Sequence, residues 1–126
     1  MKYKATGRVI HGDHEGSRLG FPTANLDPRT LDITESGLKV GVYAGYVTLE
    51  DGALYKAGIV IRPRGSENVL CAEAHLLDFK GDLYDSTITI SLEAYIRPYE
   101  KFSHKELLKE AIQADIETIR KILQKV

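Results

Sequence analysis

Apolar and polar residues alternate along most of the chain, in short segments that end at glycine- or aspartate-containing turns. The clearest alternation is in Thr87–Arg97, where the apolar residues from Ile88 to Ile96 take every second position. A period of two is typical of a strand with one face toward the core. Similar segments predict four further strands, at Tyr3–Ile10, Val42–Leu49, Tyr55–Ile61 and Val69–Leu77.

The turns between these segments favour antiparallel pairing. Glu50-Asp51-Gly52 separates two of the predicted strands, so residues 42–61 are predicted to form a hairpin. A parallel sheet would need helices between its strands, and the sequence indicates none there. The pattern therefore predicts an antiparallel sheet or a small closed barrel.

The C-terminal region changes to helical spacing. Apolar residues recur three or four positions apart from Leu108 to Leu123, and only Asp115 interrupts this face. We therefore predict a helix from about residue 104 to 124, packed on the sheet or barrel. Residues 26–40 show no clear period and are predicted to form a long loop, of the kind that often carries function.

The start of this helix has a capping signal. Ser103 followed three residues later by Glu106 matches a capping box, with Ser103 as the N-cap. Phe102 and Leu107 stand where a hydrophobic staple would close.

Composition narrows the class of protein. A chain of 126 residues with 43% apolar content suits one domain, residues 1–126. Lys and Arg number 17 against 18 Asp and Glu, so neither nucleic acid nor an anionic membrane is an expected partner. The lone Cys71 fits a reducing compartment, and no segment approaches the length of a membrane span. We expect a cytoplasmic protein.

The segment His11–Asn25 (HGDHEGSRLGFPTAN) has glycine at every fourth position but lacks the Gly-Lys-Ser/Thr ending of a P-loop. Its glycines either satisfy turns or expose backbone N–H groups that, together with Arg18, could contact phosphates. Thr23 and Asn25 would point to one face of an extended segment. Their neutral oxygens suit Mg²⁺ when phosphates supply the negative charge.

A second candidate lies in Cys71–Phe79. In a strand, Glu73 and His75 would share one face, opposite the neighbouring apolar residues. Glu73 is then either a cross-strand ion-pair partner or a general base aimed at a hydroxyl, as phosphoryl transfer to an alcohol would use. His75 is open to the same two interpretations.

The third candidate is Tyr95–Phe102, between the last strand and the helix. Arg97, Lys101 and the aromatic residues could clamp a flat, phosphorylated ligand. They could equally form a solvated junction, with Phe102 used only as the staple.

Together and in this order, these segments resemble the riboflavin kinase (flavokinase) family, which in bacteria commonly forms the C-terminal module of a bifunctional riboflavin kinase/FAD synthetase. The most specific segment is Leu19–Asn25 (LGFPTAN). The resemblance covers nearly the whole chain and runs on through Gly7–Gly12, Gly41–Ala44, Glu73–Phe79, Asp82–Tyr84, Arg97–Pro98, Lys101–Ser103 and the terminal helix.

The resemblance implies a mainly β fold, a six-stranded antiparallel Greek-key β-barrel with a long C-terminal α-helix packed on it. It implies transfer of the ATP γ-phosphoryl group to the 5′-hydroxyl of riboflavin, giving FMN and ADP with Mg²⁺. By matching position, Glu73 would be the general base, and Thr23 and Asn25 would hold Mg²⁺ and the nucleotide phosphates.

The same resemblance implies that Gly12 and Arg18 contact ATP. It also places Arg97 and Phe102 where the family builds its flavin pocket. No adenylyltransferase module is evident in the sequence, so we expect FMN as the product and a separate FAD synthetase as a partner.

Two departures from the family pattern bear on nucleotide preference or affinity. The family usually has Asn-Ile-Gly followed shortly by Pro-Thr, whereas Ala57–Gly65 keeps only Pro63 clearly and adds Arg62. Asp85 replaces the glycine that usually follows Asp-Leu-Tyr.

The alternative function is a catalytically silent flavin- or nucleotide-binding β-barrel. An oligonucleotide-binding barrel is disfavoured by the near-zero charge and the few aromatic residues. The joint presence of Glu73, Thr23 and Asn25 favours the kinase, since a protein that only binds needs no base.

Overall fold

The structure, a computed structural model, describes residues 3–10, 23–28, 38–64 and 69–124. In these ranges six strands precede one helix. The elements are β1 (Tyr3–Ile10), β2 (Thr23–Leu26), β3 (Gly41–Thr48), β4 (Leu54–Arg64), β5 (Val69–Leu76), β6 (Thr87–Arg97) and α1 (Lys105–Ile122).

The six strands form a closed antiparallel barrel in the order β1-β2-β5-β4-β3-β6. The neighbours β6-β3-β4-β5 follow the Greek-key order, in which a fourth strand returns beside the first of three consecutive ones. The predicted barrel with a C-terminal helix is confirmed. The predicted hairpin over residues 42–61 is also confirmed, since β3 pairs with β4 from Gly41↔Ile61 to Thr48↔Leu54.

The barrel interior is filled by the inward-facing apolar residues of the strands. Every second residue of β1 and β2 is buried, and so is every second residue of β5 from Ala72 onward, as a period of two requires. The largest of the fully buried interior side chains are Tyr43, Leu26, Ile59, Ile61, Ile88, Ile90 and Leu92. Their burial supplies most of the hydrophobic stabilisation of the barrel.

Strand β6 is irregular after Leu92. Leu92 pairs with Gly45 and Ala94 with Ala44, so Glu93 is an extra residue that forms a β-bulge. Beyond the bulge the two faces exchange, and Ala94 and Ile96 pack outside the barrel. The predicted alternation is therefore correct as far as Leu92 and wrong for the last part of the strand.

Helix α1 packs on the outside of the barrel, against β3, β4 and β6. Its buried contacts form a second apolar cluster, built around Ala44, Leu77, Ile119 and Leu123. Gly58 on β4 allows this close approach, because a Cβ atom at Gly58 would lie 2.8 Å from Ile119 Cδ1. The helix and the barrel wall thus enclose the space in which the candidate site lies.

The helix begins one residue later than the sequence predicted. His104 is the N-cap and has no side-chain capping hydrogen bond, while its carbonyl accepts the first helical bond from the Leu108 amide at 3.1 Å. The predicted capping box of Ser103 and Glu106 is wrong, because this shift moves Glu106 from the third to the second helical position. Leu107 is exposed, so the predicted staple does not form either. Glu106 still stabilises the first turn through the helix dipole.

Within the described ranges, residues 27–28 and 38–40 lie outside strands and helices, as predicted for the loop 26–40, but the prediction is wrong for Leu26, which is the last residue of β2. The segment 29–37 of that loop is outside the described residues. None of the helices in the described part of the chain has the length and apolar character needed to cross a membrane.

Candidate active site

Four polar side chains meet on the outer face of β2 and β5. The strand register pairs Thr23 with His75 and Asn25 with Glu73. The alanines between them are buried in the barrel interior, so these four residues face outward together. The sequence prediction that each pair shares a face is confirmed, and the structure adds that the two pairs lie side by side.

A chain of polar contacts joins these residues. Thr23 Oγ1 lies 3.2 Å from His75 Nδ1, a hydrogen-bond distance. His75 Nε2 lies 3.8 Å from Glu73 Oε1, and Arg62 Nη2 of β4 lies 3.8 Å from Glu73 Oε2. Both distances exceed a hydrogen bond, so Arg62 acts on the carboxylate through its charge. Glu73 is therefore a largely buried carboxylate with a guanidinium beside it.

Glu73 lies in the wall of a cavity of about 250 Å³ between the barrel and α1. The apolar part of the cavity lining comes from the helix and from β3 and β4. Its apolar lining is Val42, Val60, Leu108, Ile112, Ile116 and Ile119. The polar part comes from the barrel, from the segment after β6 and, at Asp115, from the helix. Its charged and ionisable lining is Arg62, Glu73, His75, Arg97, Lys101 and Asp115. A flat, largely apolar ligand with one polar end fits this division.

Arg97 links the end of β6 to the helix across this cavity. Its Nε and Nη2 atoms donate to the two carboxylate oxygens of Asp115 at 2.9 and 2.8 Å. These hydrogen bonds raise the pKa of the Arg97 guanidinium, against the opposing effect of burial. This pairing could not be predicted from the sequence, in which Asp115 is only a break in an apolar helix face.

Phe102 lies behind Arg97. The guanidinium carbon of Arg97 is 5.8 Å from the centre of the Phe102 ring, within the range of a cation–π contact. Arg97 lines the cavity, whereas Phe102 is not among its described lining residues. The two predicted flavin-pocket residues are thus brought together, and their role in binding a flavin stays a prediction.

A second cavity, of about 270 Å³, lies at the end of the barrel beneath the connection from β5 to β6. Phe79, Leu83 and Tyr84 of that connection line it, together with Thr23. Because Thr23 lines this cavity and its partner His75 lines the first, the two cavities adjoin at the Thr23–His75 pair. Sequence reasoning missed this cavity, although the apolar residues between two predicted strands were a signal.

Asp85 has a left-handed backbone conformation, with φ of 68°. Glycine adopts this conformation without strain, and aspartate is among the residues that tolerate it best. Its carboxylate also accepts a hydrogen bond from Arg8 at 3.0 Å. Aspartate is therefore accommodated at this position, where the family usually has glycine.

Gly12 and Arg18 lie outside the described residues, and their contacts with ATP stay predictions. No group of three or more His, Cys, Asp or Glu side chains in the described ranges is placed to hold a metal ion.

The structure is a small closed β-barrel with two adjoining cavities, and solved structures share this fold. A riboflavin kinase from Trypanosoma brucei superposes with a TM-score of 0.73 and 27% identity, over 98% of this chain and 78% of that chain. A Streptococcus pneumoniae structure described as a macrolide-efflux protein gives a TM-score of 0.81 and 28% identity, over 93% of this chain and 38% of that one.

Sequence comparison then specifies the family. The riboflavin kinase family model matches residues 1–123. Human riboflavin kinase is 31% identical over 128 residues, which is 98% of this chain and 83% of the human protein. The bifunctional riboflavin kinase/FMN adenylyltransferase of Pseudomonas fluorescens is 37% identical over 123 residues, and the match spans 37% of its length. The chain belongs to the riboflavin kinase family.

Proposed function

We propose that the protein transfers the γ-phosphoryl group of ATP to the 5′-hydroxyl of riboflavin, giving FMN and ADP. The observation that carries this proposal is the position of Glu73. Glu73 lines the cavity beneath α1 and pairs in register with Asn25 of β2. The same strand carries Thr23, which lines the second cavity. A base, an acceptor cavity and a donor cavity are therefore neighbours.

The cavity beneath α1 receives the flavin in this proposal. Its apolar residues, most of them on the helix, suit an isoalloxazine ring, and its polar residues suit the ribityl chain. The 5′-hydroxyl then points toward Glu73. The bidentate pair of Arg97 and Asp115 holds the helix over the ring and limits access of water.

The second cavity receives the nucleotide. The aromatic rings of Phe79 and Tyr84 can stack on the nucleobase, and Thr23 lies on the side of this cavity nearest the riboflavin hydroxyl. Thr23 and Asn25 supply a hydroxyl and an amide oxygen, which fit Mg²⁺ provided that nucleotide phosphates contribute the negative ligands. When bound, Mg²⁺ would neutralise charge on those phosphates.

The chain's own residues then move one proton. Glu73 accepts the proton of the 5′-hydroxyl through a carboxylate oxygen as the new oxygen–phosphorus bond forms. The bond between the γ-phosphorus and the bridging oxygen breaks, and ADP leaves with that electron pair. The hydrogen bond between Thr23 and His75 fixes the threonine hydroxyl at the boundary between donor and acceptor.

The proposal is tested by incubating the protein with riboflavin, Mg²⁺ and each of ATP, CTP and GTP, and following flavins by chromatography. FMN should form with at least one nucleotide. Riboflavin binding without FMN formation would support the catalytically silent barrel instead. Comparing the three nucleotides tests whether the altered segment Ala57–Gly65 changes nucleotide preference.

Replacing Thr23 or Asn25 by alanine should weaken binding of the Mg²⁺–nucleotide complex by about 10- to 100-fold, the effect of losing one interaction with a charged group. Riboflavin affinity should stay unchanged. Calorimetric titration of Mg²⁺ and a non-hydrolysable ATP analogue measures the first, and flavin fluorescence the second.

A matched control for the threonine is Thr89→Ala, which removes an exposed hydroxyl on β6 that bonds to Thr6. If Thr23→Ala and Thr89→Ala bind the Mg²⁺–nucleotide complex equally well, Thr23 has no part in the metal site.

A further inference from the structure

Arg62 lies beside Glu73, and the proton transfer described above does not use it. Arg62 is on β4, lines the cavity beneath α1, and is 28% exposed. We propose that Arg62 is a further catalytic residue, which binds the phosphoryl group as it reaches the riboflavin hydroxyl and holds it as the FMN phosphate. This inference rests on the proposed function.

Distance supports this role. A hydroxyl hydrogen-bonded to Glu73 would lie about 2.7 Å from the carboxylate oxygen. The Arg62 Nη2 atom is 3.8 Å from the other oxygen of the same carboxylate. The hydroxyl and the guanidinium would thus adjoin the same carboxylate, and the arginine side chain can turn its paired N–H groups, which match phosphate oxygens, toward a phosphoryl group attached to that hydroxyl.

The other arginine that lines the cavity, Arg97, is already hydrogen-bonded to a carboxylate. Arg97 donates two hydrogen bonds to Asp115 at 2.9 and 2.8 Å. Among the described residues, Arg62 forms one ion pair, with Glu73, at a distance too long for a hydrogen bond. Arg62 can therefore turn to a new anion at little cost, whereas Arg97 would first have to release the helix.

The charge balance of the reaction favours the same assignment. Before transfer, Glu73 is the anion beside Arg62. As Glu73 takes the hydroxyl proton it becomes neutral, and the negative charge beside Arg62 is now on the phosphoryl group bonded to riboflavin. The guanidinium thus exchanges a carboxylate for a phosphate during the reaction. An interaction that strengthens in this way accelerates the chemical step.

The test compares FMN with riboflavin, two ligands that differ by the phosphate alone. Arg62→Met should weaken FMN binding by about 10- to 100-fold, the range for a lost hydrogen bond to a charged group, and leave riboflavin binding within about threefold. It should also lower kcat. Arg62→Lys should recover part of the FMN affinity, because lysine keeps the positive charge but lacks the paired N–H groups of the guanidinium.

Flavin fluorescence titration gives both dissociation constants for each variant. Arg120→Met is the matched control, since Arg120 is in the last turn of α1 and forms an ion pair with the exposed Asp78. It should bind both flavins as the parent does.

Two results would overturn the proposal. FMN affinity that survives in Arg62→Met would show that Arg62 makes no phosphate contact. Equal weakening of riboflavin and FMN would show that Arg62 only supports Glu73 or the cavity wall. A parent protein that makes no FMN rejects the proposed function separately, since the ratio of FMN to riboflavin affinity is measured without turnover.

Discussion

Glu73→Gln is expected to lower kcat by about 10²-fold or more while riboflavin binds with nearly unchanged affinity. The amide has almost the same shape as the carboxylate, so the cavity wall keeps its form. It cannot accept the hydroxyl proton at neutral pH, and the transferred group meets a less nucleophilic oxygen. A tenfold loss corresponds to about 1.4 kcal/mol in the barrier, so the expected loss is about 3 kcal/mol.

The measurement is steady-state formation of FMN, with riboflavin affinity taken from fluorescence. Glu93→Gln provides the matched control: Glu93 is also a partly buried strand glutamate, but it forms the β6 bulge and accepts a hydrogen bond from Ser91 at 2.8 Å. Its kcat should stay within about twofold of the parent. A Glu73→Gln enzyme as fast as Glu93→Gln would remove Glu73 from the role of base.

Ile119→Ala should lower the free energy of unfolding by about 2–5 kcal/mol, the range for removing a large aliphatic side chain from a core. Ile119 is 1% exposed and is the helix residue that lies against Gly58 of β4. Its loss would leave a void between α1 and the barrel. The same void opens into the ligand cavity, so riboflavin affinity should fall as well.

Urea unfolding followed by circular dichroism measures the stability change. Ile122→Ala, on the same helix at a position 39% exposed, is the matched control and should cost less than about 1 kcal/mol. Equal effects at the two positions would show that the helix does not pack on the barrel as described.

Much of the barrel could be predicted from the sequence because a strand with one buried face shows a period of two. The prediction failed in β6 beyond Leu92, where pairing with another strand decides the structure. Gly45 lies opposite the bulge, and a Cβ atom there would come within 1.9 Å of the Ser91 carbonyl oxygen. A glycine in one strand therefore permits an irregularity in its neighbour, and no local pattern in β6 itself reports this.

The candidate site divides in the same way. The shared face of Thr23 with Asn25, and of Glu73 with His75, follows from spacing alone. The approach of Arg62 to Glu73 depends on the register between β4 and β5. The pairing of Arg97 with Asp115 depends on the position of the helix against the barrel. These contacts lie far apart in the sequence, and spacing along the chain carries no information about them.

The bulge at Glu93 also bears on how the length of this chain can change. The turn around Gly52 connects two strands at the surface, and residues can be gained or lost there without altering which side chains face inward. Removal of Glu93 would likewise take away only the extra residue of the bulge and leave Leu92 facing inward and Ala94 outward, as they do now. Loss of the bulge with every residue kept would instead turn Ala94 into the interior and Tyr95 out of it, so the contact between β6 and α1 depends on the bulge.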